Sequence, residues 1–230
     1  MSVWIFGDSF VSPINYMIYN DTEEMPDYAW TRQISQKIKQ DLEIIAMPGV
    51  SNQWISKKIN EHEENMEEGD IVIIVTSEPN RTWLLEDSPE FSNIFVNNLE
   101  KLISKKQNKA IQSYVENFGV QHDFISQMHY DWFLHWCRSK LSNKFMLCIL
   151  PGFTNTDMHD TTDNNATLKT IDEQEFAQLQ DKEMYDKRLN HMSKENHTIL
   201  ADKVYKFLST GEKIDLSTDF LNSKTVQPVR

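Results

Sequence analysis

The sequence predicts a three-layer α/β/α fold built on a parallel sheet of about five strands. Three observations carry this. Short runs rich in Ile, Val and Leu fall at Ser2 to Phe6, Leu42 to Ala46, Ile71 to Thr76 and Phe145 to Leu150, and near-continuous apolar runs mark strands covered on both faces. Amphipathic stretches of helical period separate them. Each run is followed by loop chemistry, and strands alternating with helices imply crossovers that lay helices on both faces of the sheet.

The elements follow in order. After the first strand, Tyr28 to Gln40 reads as a helix with Ile34 and Ile38 four apart on its inner face. Asn52 to Met66 reads as the helix after the second strand. The long stretch from Phe91 to Leu141 reads as mainly helical, with Phe124, Met128, Trp132 and Trp136 spaced four apart. That stripe is expected to be a buried face. Pro151 to Asn165 is rich in Thr, Asn and Asp and reads as a long surface loop. Thr167 to Ile171 is a candidate edge strand, and a helix is expected over about Asp172 to Asp186. The last helix, Ser193 to Leu208, opens on Ser193 as N-cap with Asn196 at its third position, a weakened capping box. The domain is expected to span residues 1–210, with residues 211–230 as a polar tail.

Composition narrows the function classes. The chain has 230 residues and a formal net charge of -12. So acidic a chain offers no electrostatic footprint for nucleic acid or an anionic membrane, and no apolar run is long enough to span a bilayer. Cys137 and Cys148 both lie in apolar stretches and are expected to be buried free thiols rather than a disulfide framework. Met1-Ser2-Val3-Trp4 enters a strand without a basic start, so no signal peptide is expected and synthesis in a reducing cytoplasm follows. That is compatible with service in a larger particle.

In a parallel sheet, ligands bind at the carboxyl ends of the strands. The loops after Phe6, Ala46, Thr76 and Leu150 are therefore the candidate site. The first contains Gly7-Asp8-Ser9-Phe10. A serine hydroxyl there can attack a substrate if a base takes its proton and donors hold the oxyanion. Gly7 would permit a tight turn. Near the other end, His191 falls in a loop before the last helix and His197 in that helix's first turn. A loop histidine can reach a nucleophile on the first strand.

Together these segments resemble the SGNH hydrolases, also called GDSL esterases. Gly7-Asp8-Ser9-Phe10 matches the first block of that family. Gly49, in Pro48-Gly49-Val50-Ser51-Asn52, matches the second. Asn80, in Glu78-Pro79-Asn80-Arg81, matches the third in part. His191, His197 and Ala201 match the spacing of the last. The resemblance covers the chain end to end, with the blocks in order, and implies a flavodoxin-like SGNH fold and carboxylic ester hydrolysis without cofactor or metal. It implies Ser9 as nucleophile and His191 as general base. The backbone N–H groups of Ser9 and Gly49 and the Asn80 amide would form the oxyanion hole. The family's acid lies three residues before the catalytic histidine, where this chain has Arg188. Asp186 is the nearest carboxylate, and a backbone carbonyl is the alternative. Glu78 and Arg81 replace small and acidic residues, and Arg81 is expected to pair with Glu78 or Asp8. By the same resemblance Asp8 supports the site, and His197 caps or orients local structure.

The segment from Leu189 to His197 is also similar to SGNH modules carried by bacteriophage, some on virions. A decayed SGNH module that binds or scaffolds is therefore the alternative to an esterase. The histidines show no metal-ligand grouping. A Rossmann glycine pattern and a P-loop are absent, and a flavodoxin-type carrier would need more than Ser9 and Ser12 in the first loop. No long apolar lid helix favours long-chain lipids. Aromatic and amide-rich loops suit an acetyl-type ester on a carbohydrate.

Overall fold

The computed structural model describes residues 1–12, 25–77, 79, 81–83, 93–95, 105–151, 194–212 and 219. The parallel sheet consists of β1 (Ser2–Gly7), β2 (Asp41–Ala46), β3 (Ile71–Thr76) and β6 (Met146–Pro151), in the order β2-β1-β3-β6. This is the order in which a flavodoxin-like doubly wound sheet begins. Among the described residues the sheet has four strands. The expected edge strand at 167–171 and helix at 172–186 lie outside the described residues, as do most of the 151–165 loop and the tail.

The sheet is covered on both sides, because successive residues of a strand face opposite ways. Val3 and Ile5 of β1, Ile71, Ile73 and Val75 of β3 and Cys148 and Leu150 of β6 face one layer. It is formed by α1 (Trp30–Ile38) and α4 (Lys194–Thr210), through Trp30, Ile34, Leu200, Ala201 and Val204. Trp4, Phe6, Val72, Ile74 and Ile149 face the other. There α2 (Asn52–His62) and α3 (Lys105–Leu141) supply Trp54, Ile55, Ile59, Phe133, Leu134 and Leu141. Burying each such side chain contributes about 1.5–3 kcal/mol. The expected burial of both thiols is found, with Cys148 in the first layer and Cys137 in the second.

One expectation needs correction. Phe124, Met128 and Trp132 are 73%, 46% and 76% exposed. Their stripe is an outer face of α3, and the buried face is carried instead by Tyr130, Phe133, Leu134, Cys137 and Leu141. A long helix crowded with aromatics holds two apolar stripes, and only one can meet the sheet. The stretch expected to be mainly helical holds α3, preceded by a short strand. Asn93–Phe95 is β5, paired antiparallel with β4 (Arg81–Trp83). Strands of three residues are too short to show a period.

Candidate active site

Ser9 lies where β1 ends, in a turn in which the N–H groups of Val11 and Ser12 donate to the Asp8 carbonyl at 3.2 and 3.0 Å. The Asp8 carboxylate closes the turn, its Oδ1 accepting the Phe10 N–H at 3.1 Å. From α1, the Trp30 indole N–H donates to the Phe10 carbonyl at 3.2 Å. Held before and after, Ser9 is half-buried between the fully buried Asp8 and Phe10. Gly7 does not take a left-handed conformation. A Cβ there would lie 2.6 Å from Val11 Cγ2 and 3.0 Å from Val75 Cβ. The expected turn role of Gly7 is therefore corrected to close packing of the turn against β3.

Gly49 lies in the loop after β2 with φ 75, and a Cβ there would meet nothing within 4 Å. The glycine is required by its backbone conformation, and the space beside it is open. Two residues on, Ser51 caps α2 by accepting the Trp54 N–H at 3.3 Å. The loop is drawn toward β1 by the Met47 N–H, which donates to the Gly7 carbonyl at 3.3 Å.

Arg81 joins these loops. Its Nη1 donates to Asp8 Oδ2 at 2.9 Å, Ser77 Oγ at 3.0 Å and the Val50 carbonyl at 3.4 Å. One buried guanidinium thus binds the ends of β1, β2 and β3. Pairing with Asp8 is the role expected for Arg81, and it occupies the Asp8 carboxylate in support of the turn. Ser77 is also locked to the start of α2 by a reciprocal amide pair that has no sequence signal. Asn52 Nδ2 donates to the Ser77 carbonyl at 2.9 Å, and the Ser77 N–H donates to Asn52 Oδ1 at 2.8 Å. Beside it, Thr76 Oγ1 and the Tyr130 hydroxyl are 3.0 Å apart. Burial pushes the Tyr130 phenol up to about 12, so it stays protonated at neutral pH.

His197 is buried at the start of α4. Its Nδ1 accepts the Trp30 N–H at 3.4 Å, and its ring lies 5.7 Å from that of Tyr28. The orienting role expected for it fits these contacts, which tie α4 to α1 beneath the Ser9 turn. His191, Asp186, Asn80, Glu78 and Arg188 lie outside the described residues. Of the predicted site, the structure therefore describes Ser9 and Gly49 on neighbouring loops. Among the described residues, no group of three or more His, Cys, Asp or Glu side chains could hold a metal ion. Among them also, no helix is long and apolar enough to cross a membrane.

No family model and no curated protein matches the sequence. Among solved structures, the chain is similar to a "putative lipolytic protein of G-D-S-L family" from Desulfitobacterium hafniense DCB-2. The identity is 10% and the TM-score 0.35, over 89% of this chain and 98% of that one. The chemistry therefore rests on the residues themselves.

Proposed function

We propose that the chain is a serine esterase of the SGNH type, with Ser9 as its nucleophile, acting on a short-chain, acetyl-type ester of a glycan. The observation that carries the reading is the seat of Ser9. It is a half-buried serine at the carboxyl end of β1. There the strand order reverses between β2 on one side and β3 on the other, which is where doubly wound sheets bind ligands. The open space beside Gly49 supports it, since a substrate oxygen needs backbone donors without a side chain in the way.

In this mechanism His191 takes the proton of Ser9 Oγ as the oxygen bonds to the acyl carbon. The Ser9 and Gly49 N–H groups and the Asn80 amide hold the resulting oxyanion. The alcohol leaves with the proton from His191. Water then attacks the acyl-enzyme, giving a proton to His191, which passes it to Ser9 Oγ as the acid leaves. Asp186 or a backbone carbonyl orients the imidazole. Each oxyanion donor is worth on the order of 3 kcal/mol. Asp8 takes no part as triad acid in this scheme, because Arg81 and the Phe10 N–H engage its carboxylate.

The test compares wild type with Ser9→Ala on nitrophenyl acetate and on acetylated xylan. The expected result is a Ser9-dependent rate that falls on the order of 10³-fold or more in the variant, with the circular dichroism spectrum unchanged. Equal, background-level rates for the two proteins would leave the fold as a scaffold without this activity.

A further inference from the structure

A groove of about 330 Å³ opens between α2 and α3. It begins at the carboxyl edge, where Asn52 and Pro79 flank the loops that Arg81 binds together, and runs down α2 past Gln53, Ser56 and Asn60. Those three residues recur at helical spacing, so one wall is neutral amide and hydroxyl. The other wall, on α3, includes Trp132, Phe133 and Trp136. Phe133 and Trp136 are stacked with centroids 6.3 Å apart. Trp132 is 76% exposed, so burial does not account for it. None of the lining residues is a carboxylate or a cation of fixed charge.

We infer that this groove is a saccharide subsite that holds a pyranose unit of a neutral glycan. A sugar ring is amphipathic in the way the groove is. Its C–H face stacks on an aromatic plane, while its equatorial hydroxyls meet amide and hydroxyl groups at the rim. Aromatic walls with a few placed polar groups are the usual make-up of a small-molecule site, for which roughly 300–1,000 Å³ is ordinary. A partner helix fits less well. The apolar face of such a helix would leave the amides of α2 unanswered. Anionic glycans are disfavoured by the net charge of -12, and the Lys140 ammonium over the Trp136 ring, 5.7 Å from its centroid, is already paired with Glu63. The inference deepens the esterase reading, on which it rests only for the ester: a ring held here extends from the edge that carries Ser9.

The experiment titrates the full-length Ser9→Ala variant with xylotetraose, cellotetraose, mannotetraose and chitotetraose, by tryptophan fluorescence and calorimetry. At least one sugar is expected to bind at millimolar concentration or below. Adding Trp132→Ala should weaken it about tenfold, or about 1.4 kcal/mol, with the circular dichroism spectrum unchanged. Asn60→Ala should weaken it without altering the aromatic wall. Failure of all four sugars to bind, or equal binding with Trp132→Ala, overturns the subsite. So does a Trp132→Ala effect confined to self-association in sedimentation. Nitrophenyl acetate carries no sugar. Its hydrolysis without sugar binding would sink the subsite alone, and sugar binding without Ser9-dependent hydrolysis would sink the esterase alone.

Discussion

Two buried aspartates tie strands together at opposite edges of the same sheet, by different chemistry. At the amino edge, Asp70 Oδ1 accepts the Ser2 N–H at 2.7 Å, while Oδ2 accepts the Trp4 indole N–H at 2.9 Å and the Glu67 N–H at 3.0 Å. The Asp70 carbonyl accepts the Met146 N–H at 3.1 Å, which brings in β6. At the carboxyl edge, Asp8 meets one backbone N–H and the guanidinium of Arg81. Three neutral donors hold one edge, with the Met1 ammonium 4.0 Å from Asp70 Oδ1 beside them. A long cationic side chain from the first residue of β4 holds the other. Main-chain donors predominate at the amino edge, whereas a side chain dominates the carboxyl edge and can be retuned without redrawing the sheet.

The largest effect should come from Arg81→Met. It leaves the Asp8 carboxylate buried without its cation, and breaking such a pair costs about 3–5 kcal/mol. Denaturant unfolding should show that loss, and Asp8→Asn added to Arg81→Met should recover part of it. No recovery would mean that the guanidinium acts mainly through Val50 and Ser77. Next comes Gly7→Ala, whose Cβ cannot be housed 2.6 Å from Val11 Cγ2 without shifting the turn. A loss of about 1–3 kcal/mol is expected, with esterase activity falling further than stability because Ser9 moves with the turn. An unchanged melting temperature would contradict the packing role.

The smallest effect is Asp70→Asn, about 1–2 kcal/mol near neutral pH, since an amide retains some of the acceptor geometry. Its pH dependence sharpens the contrast. Burial pushes the Asp70 carboxyl up, but the hydrogen bonds from Glu67, Ser2 and Trp4 outweigh it and hold the group below the ordinary aspartate value. A depressed folded value means that the unfolded chain binds more protons, so stability rises with pH across that window. The contribution is complete above about pH 4 and fades as pH falls through the lower folded value. The difference between wild type and Asp70→Asn in urea midpoint should therefore shrink on acidification. A difference independent of pH would show that the carboxylate charge is not what Asp70 supplies.

Much of this molecule was legible in its sequence. Ile71 to Thr76 has the predicted bounds, Ser2–Gly7 and Asp41–Ala46 differ from theirs by one residue at one end, and Met146–Pro151 is shifted by one residue at both ends, because a strand covered on both faces must be apolar throughout. The positions of Ser9 and Gly49 in the loops after β1 and β2 were legible because the strands before them were. The outer stripe of α3 was not, since four-residue spacing gives a face but not which face the sheet takes. Nor was the lock between Asn52 and Ser77, 25 residues apart, since no local pattern announces two side-chain and main-chain amides that meet only after the crossover closes. Arg81 stood between two partners in the sequence, and the structure supplies Asp8.

The two cysteines have a practical meaning. Cys148 lies in the hydrophobic layer under α1 and α4, and Cys137 in the layer under α2 and α3. Burial pushes the Cys148 thiol up to about 12 and the Cys137 thiol up as well, so neither reacts until its own layer parts. The protein therefore carries a native chemical reporter on each side of its sheet. The relative rates at which a thiol reagent finds them separate the breathing of the two faces, without any label having to be introduced.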